Sequence, residues 1–205
     1  MCLINFQLNS HSRFKLVMAA NRDEEYSRPT EAAHFWGEHP NLLAGRDLRG
    51  MGTWLGITKD GRISALTNVR NTKELLSTHG KSRGHLVRDF LTSEAHPEEY
   101  LKKIAKEGGD YAGFNLLAGT SDALYYVNNY ENEVIRVEDG IHGLSNHHLD
   151  TPWPKVVKGK AGLKSVVEDE DSDIEALFKL LRDDETAEVG SLPDTGLSKE
   201  IERNL

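Results

Sequence analysis

The 205-residue chain has one cysteine, Cys2. No internal disulfide can form, and a reducing, cytoplasmic setting is expected. The start lacks a basic segment followed by a long apolar run, so no secretory signal is expected. No stretch approaches the ~18 consecutive apolar residues of a membrane span. Positive charge is in short supply: 25 Lys and Arg against 33 Asp and Glu leave a formal net charge of −8. That is the opposite of the basic footprint of a general nucleic-acid binder. No basic amphipathic helix, lipidation motif or haem-attachment spacing is found, and no internal repeat. What remains, with 38% hydrophobic and 28% charged residues, is the composition of a globular chain long enough for its own core, read as one domain over 1–205.

The lone cysteine directly follows Met1. If Met1 is removed, Cys2 carries a thiol and a free α-amino group on one residue, which pairs a nucleophile with a base. A free thiol titrates near ~8.5 and an α-amino group near ~7.7–8.0, close enough to neutrality for the amine to shuttle a proton. Cys2, Ile4, Phe6 and Leu8 alternate with Leu3, Asn5 and Gln7, which predicts a strand. After the polar cluster Asn9-Ser10-His11-Ser12-Arg13, the residues Phe14, Leu16, Met18 and Ala20 alternate again. A hairpin pairing Leu8 with Phe14 also pairs Phe6 with Leu16, Ile4 with Met18 and Cys2 with Ala20, all on one face. Arg22 then falls on the Cys2 face just beyond it, where a guanidinium favours the thiolate. Asp23 points to the other face unless the strand ends, and is placed to orient Arg22 or the terminal amine. The competing reading is plain core at Cys2 and an ordinary strand-end turn at Asn21-Arg22-Asp23-Glu24.

Further along, Arg28-Pro29-Thr30 and Trp36 to Pro40 read as loop, and Leu42-Leu43-Ala44 as a short apolar segment. Arg46-Asp47 reads either as a surface ion pair or as a second polar patch. Thr53 to Thr58 and Arg62 to Asn68 flank the turn Lys59-Asp60-Gly61. Asn68 closes the second strand, either as a turn residue or as a donor to an oxyanion. Arg70 to Gly80 is polar and unpatterned. Helices are expected from an opening at Ser82-Arg83-Gly84 to about Thr92, with Leu86, Val87, Phe90 and Leu91 inward, and from Pro97 to the Gly108-Gly109 stop. Strands over Phe114–Thr120, Ala123–Asn129 and Glu133–Glu138 follow. Asn115 within the first of them is structural glue or a pocket donor. His147-His148 and Asp150 invite a metal reading, but adjacent strand histidines face opposite ways and no further ligand cluster is evident. Helices carrying Val156, Val157 and Leu163, and then Ile174, Leu177, Phe178 and Leu181 behind a Ser172-Asp173 cap, complete the pattern.

The ordered series Met1-Cys2, Asn21-Arg22-Asp23-Glu24, Arg28-Pro29, Ala44-Gly45-Arg46-Asp47, Gly52-Thr53-Trp54-Leu55-Gly56, Ala65-Leu66-Thr67-Asn68, Gly113-Phe114-Asn115-Leu116-Leu117, His142-Gly143-Leu144-Ser145-Asn146 and Pro152-Trp153-Pro154-Lys155 resembles the NRDE family, also called the transport and Golgi organisation protein 2 family. That family in turn resembles the cysteine-type N-terminal nucleophile hydrolases such as penicillin V acylase and bile salt hydrolase. The resemblance implies an α+β fold, a four-layer αββα sandwich of two mainly antiparallel sheets, and cleavage of a non-peptide amide bond. Family members continue with a helix-strand stretch bearing Tyr-Gly-Thr-Arg, so the chain is expected to lack its final strands.

Carried over residue by residue, the resemblance makes Cys2 the nucleophile, with Arg22 lowering its pKa and Asp23 positioning the amine. Asn68 and Asn146 become the oxyanion donors. No cofactor and no metal is implied, and the partner is a small-molecule amide. The rival expectation is a non-catalytic binder of haem or another amphipathic acyl or lipid ligand on the same fold. A trafficking role at membranes has no motif to carry it.

Overall fold

The computed structural model describes residues 2–70, 80–169, 171–183 and 185–203. The chain folds into two compact units, each assembled from separated stretches. One gathers the chain up to Asp23, the stretch from Val69 and the chain from Glu138 onward; the other holds Glu24–Asn68 and the chain up to Val137. The polar stretch expected after Arg70 lies, over 71–79, outside the described residues.

In the first unit, β1 (Cys2–Leu8) sits between β2 (Leu16–Arg22) and β10 (Gly140–Leu144) in a three-stranded antiparallel sheet. The β1–β2 register differs from the predicted one by two residues. Leu8 pairs with Leu16, Phe6 with Met18, Ile4 with Ala20, and Cys2 with Arg22 itself. Turn chemistry makes the difference. Asn9 takes a φ of 50°, its N–H reaches Lys15 O at 2.7 Å, and His11 Nδ1 accepts from the N–H groups of Arg13 and Phe14 at 2.9 and 3.2 Å. Phe14 therefore belongs to the turn and is exposed, not core. An even shift preserves face parity, so Cys2, Ile4, Phe6 and Leu8 still share one buried face.

The opposite face of β1 is buried as well, Asn5 and Gln7 included. The cause is α3 (Pro154–Glu168), which lies on it. Val156, Gly159 and Leu163 face inward at helical spacing, whereas Val157 is exposed. The approach is close enough that a Cβ on Gly159 would stand 2.5 Å from Asn5 Oδ1. Next, α4 (Ile174–Leu180) is capped by Asp173, whose carboxylate accepts from Ala176 N at 3.2 Å. It rests Leu180 on Gly162 of α3, while Ile174 and Phe178, expected inside, are exposed. A short α5 (Lys199–Arg203) ends the described chain.

The second unit is a seven-stranded antiparallel sheet in chain order: β3 (Thr30–Phe35), β4 (Leu42–Asp47), β5 (Leu55–Thr58), β6 (Arg62–Asn68), β7 (Phe114–Thr120), β8 (Leu124–Asn128) and β9 (Ile135–Arg136). β3, of which the sequence reading assigns only Thr30, to loop, is an edge strand whose side chains are largely exposed, so it shows no burial alternation. β9 is shorter than expected. Helices α1 (Gly84–Leu91) and α2 (Pro97–Glu107) cover one face, and Leu86, Val87, Phe90, Leu91, Leu101 and Ile104 meet Leu66, Phe114, Leu116 and Val127 of the sheet. Asn115 is structural: Tyr126 donates to its Oδ1 at 2.6 Å, and its Nδ2 donates to Thr67 Oγ1 at 3.0 Å. Asp47 is structural too, since Arg28 donates to it at 2.6 and 2.9 Å and the N–H groups of Arg49 and Gly50 close a turn on its other oxygen.

Candidate active site at the start of the first strand

β1 begins at Cys2, and three segments of its own unit converge there. Across the ladder on one side stands Arg22, on the same face because directly opposed residues of an antiparallel pair point the same way. β2 stops at Arg22, which frees the backbone N–H of Asp23 to donate to the Cys2 sulfur. On the other side β10 pairs only as far as Ile4 with Leu144. Ser145 and Asn146 continue past its end, and Ser145 Oγ donates to the Cys2 carbonyl at 3.0 Å.

Asn146 is 3% exposed and tightly oriented. Its Oδ1 accepts from Lys155 Nζ at 3.4 Å and lies 3.3 Å from Ser145 Oγ, whose proton goes to the Cys2 carbonyl, and its own carbonyl accepts from Arg70 N at 2.8 Å. With Oδ1 turned to the Lys155 ammonium, the amide NH₂ is the donating edge.

Burial pushes the Cys2 thiol up from its ordinary value. The Asp23 N–H and the Arg22 guanidinium pull it down and the Asp23 carboxylate pushes it up, with burial prevailing. Arg22 thus acts in the expected direction without deciding the outcome. Lys155, on the first turn of α3, is brought down to about 8 by burial and then by the neighbouring Arg70 charge, against the opposing pull of Asp23, Cys2 and Glu202.

Four of the five residues singled out from sequence, Cys2, Arg22, Asp23 and Asn146, therefore share one unit. Asn68 ends β6 in the other, opposite Phe114, with an exposed side chain. Sequence reasoning missed Ser145, Lys155 and Arg70. Lys155 had a signal, a lysine in the inward first turn of a helix opened by Trp153-Pro154; Arg70 had none.

The histidines do not sit in a strand, as the metal argument assumed. His147 and His148 lie in a turn with ring centroids 4.3 Å apart, and His147 Nδ1 is 2.9 Å from Thr151 Oγ1. Asp150 is engaged by His142 Nδ1 at 2.7 Å, Lys160 Nζ at 2.6 Å and Gly143 N at 3.0 Å. Among the described residues no group of three or more His, Cys, Asp or Glu is placed to hold a metal ion. No helix among the described residues is long and apolar enough to cross a membrane.

Two solved structures share this architecture. A Caenorhabditis elegans N-acylethanolamine-hydrolyzing acid amidase ortholog matches with a TM-score of 0.56 at 11% identity, over 96% of this chain and 95% of its own. Penicillin V acylase from Agrobacterium tumefaciens matches with a TM-score of 0.54 at 11% identity, over 88% and 71%. At such identity the likeness shows the fold alone, and that fold is the α+β fold of the N-terminal nucleophile hydrolases. Within it, the chain belongs to the transport and Golgi organisation 2 family, whose model matches residues 1–205. The Bos taurus homologue of transport and Golgi organization protein 2 is 39% identical over 96% of this chain and 76% of its own length. The Homo sapiens homologue is 38% identical over the same shares. The Drosophila melanogaster protein is 30% identical over 82% of this chain and 65% of its own length.

Proposed function

We propose that the chain is an N-terminal-cysteine amidohydrolase that cleaves a non-peptide C–N bond. The observation that carries this reading is the pairing of Cys2 with Arg22, with the Asp23 N–H on the sulfur. Removal of Met1 exposes the Cys2 α-amine, and the thiol passes its proton to that amine. The thiolate attacks the substrate carbonyl carbon, and the Asn146 NH₂ donates to the oxyanion. The C–N bond then breaks, the leaving nitrogen takes the proton from the α-ammonium, and a thioester remains on Cys2. Water, deprotonated by the same amine, attacks the thioester and releases the carboxylic acid and the thiol. Asp23 positions the amine.

The test joins an intact mass with turnover. Protein expressed in a cytosol should lack Met1, should release the amine from an N-acylethanolamine or the side chain from penicillin V, and should lose that activity in Cys2→Ala. Turnover that survives Cys2→Ala ends the proposal. A binder of haem or an acyl ligand is the second reading. It is favoured by the cleft of about 800 Å³ beside the site, whose wall includes Leu3, Trp153 and Leu181. A haem absorbance shift that Cys2→Ala leaves intact, without any turnover, selects that reading.

A further inference from the structure

The same cleft already contains a carboxylate. Glu202 of α5 lines it, with a side chain only 1% exposed. A buried carboxylate is costly without a charged partner, and here the partner is built in. The Arg70 guanidinium, itself 11% exposed, pairs with Glu202, and the Thr195 hydroxyl donates to the other carboxylate oxygen. Arg70 is braced on two sides. Its N–H is anchored on Asn146 O at 2.8 Å, and its guanidinium lies 5.2 Å from the centre of the Trp153 ring. Lys155 supplies a second cation within electrostatic reach of Arg70, Glu202 and Cys2. With a pKa of about 8 it is charged at neutral pH.

We propose that Arg70 and Lys155 form a carboxylate-recognition site for the substrate, and that Glu202 fills it as an internal surrogate. The substrate class follows from the spacing. Lys155 Nζ is 3.4 Å from Oδ1 of Asn146, the oxyanion donor. A carboxylate held by Lys155 and Arg70 is therefore a short step from the carbonyl under attack. An N-acyl α-amino acid has that spacing, because a single carbon separates its amide nitrogen from its carboxylate. An acid at the far end of a long acyl chain does not. Cys2 does not itself line the cleft; Asp23 and Lys155 do, and they join it to the sulfur. The substrate role rests on the amidohydrolase reading, whereas the carboxylate site stands or falls on binding alone.

Calorimetry on the full chain carrying Cys2→Ala separates the two, since no turnover interferes. N-octanoylglycine is compared with N-octanoylethanolamine, which replaces the carboxylate by an alcohol. The acid should bind at least tenfold more tightly, and Glu202→Gln should tighten it severalfold further. Arg70→Met and Lys155→Met should each remove the preference; the second stands in if the first does not fold. Equal binding of the two ligands, binding of neither, or a preference that survives both cation substitutions overturns the site. A preference for the acid with no glycine or ethanolamine release from either conjugate by the Cys2 protein leaves the site standing and ends the amidohydrolase reading. Turnover of both conjugates without any binding preference does the reverse.

Discussion

Cys2 and Arg22 are direct partners across the β1–β2 ladder, so the single thiol of the chain and a guanidinium project from one face at the point where both strands run out. Burial raises the thiol while Arg22 and the Asp23 N–H lower it. Replacing Arg22 with Gln should therefore move the pH profile of Cys2 alkylation to higher pH, and Arg22→Lys should move it less. Labelling at pH 7.5, read by peptide mass spectrometry, should slow in Arg22→Gln because less of the thiol is ionised. A profile that does not move would show that the guanidinium is electrostatically idle toward the sulfur.

Lys155 gives a stability signature of unusual sign. Its ordinary value is 10.5 and its folded value about 8. Between those limits the unfolded chain holds the extra proton, and stability rises with pH. At neutral pH the amine is charged in both states and its burial opposes folding in full. Lys155→Met should thus stabilise the protein at pH 7 by up to about 3 kcal/mol. The gain should shrink as pH climbs from 8 toward 10.5. Denaturant melts of both proteins at pH 7 and pH 10 check this; a gain independent of pH would contradict it.

Asp150 works in the opposite direction. Burial alone would raise its pKa, but His142, Lys160 and the Gly143 N–H bring it from 3.8 to about 2. The stabilisation is complete above the ordinary value and disappears as pH falls through about 2. With the side chain 31% exposed, Asp150→Asn should cost about 1–2 kcal/mol at neutral pH. The φ of 58° at this position is one asparagine tolerates, so the substitution isolates charge from backbone strain. The difference from the unsubstituted protein should vanish in melts near pH 2.

α3 and β1 approach each other closely at Gly159 and Asn5. Asn5 is 1% exposed, and neither polar atom of its side chain has a hydrogen-bond partner. A Cβ on Gly159 would stand 2.5 Å from its Oδ1 and 2.6 Å from its Nδ2. Gly159→Ala should destabilise by about 1–3 kcal/mol, the range for overpacking. In an Asn5→Ala background most of that cost should disappear. A double-mutant cycle showing additive effects would mean that the helix yields elsewhere.

Much of the architecture was legible because strands and helices write their periods locally. Residues 2–8 alternate at period two, and Leu86, Val87, Phe90 and Leu91 recur at helical spacing; each became the element its pattern implied. The misreadings share a cause. Phe14 was paired because alternation continues through it, yet the Asn9 and His11 turn takes it out of the ladder. β3 is silent in the sequence because an exposed edge strand has no burial pattern to display. The burial of Asn5 and Gln7 has no local signal, because it is α3, from far along the chain, that packs on β1.

The sequence by itself determined most of the strands and helices, that Cys2 heads a strand, and that Arg22 shares its face. Those facts follow from the backbone repeat, which a few consecutive residues suffice to express. The tertiary structure alone decided that Asn146 comes to the end of β1, that Lys155 fixes its amide, and that Arg70 grips Glu202 from 132 positions away. Such pairings carry no local period. They arise when packing closes long loops and leaves buried charges to find one another, a choice made by the whole core rather than by any stretch of chain.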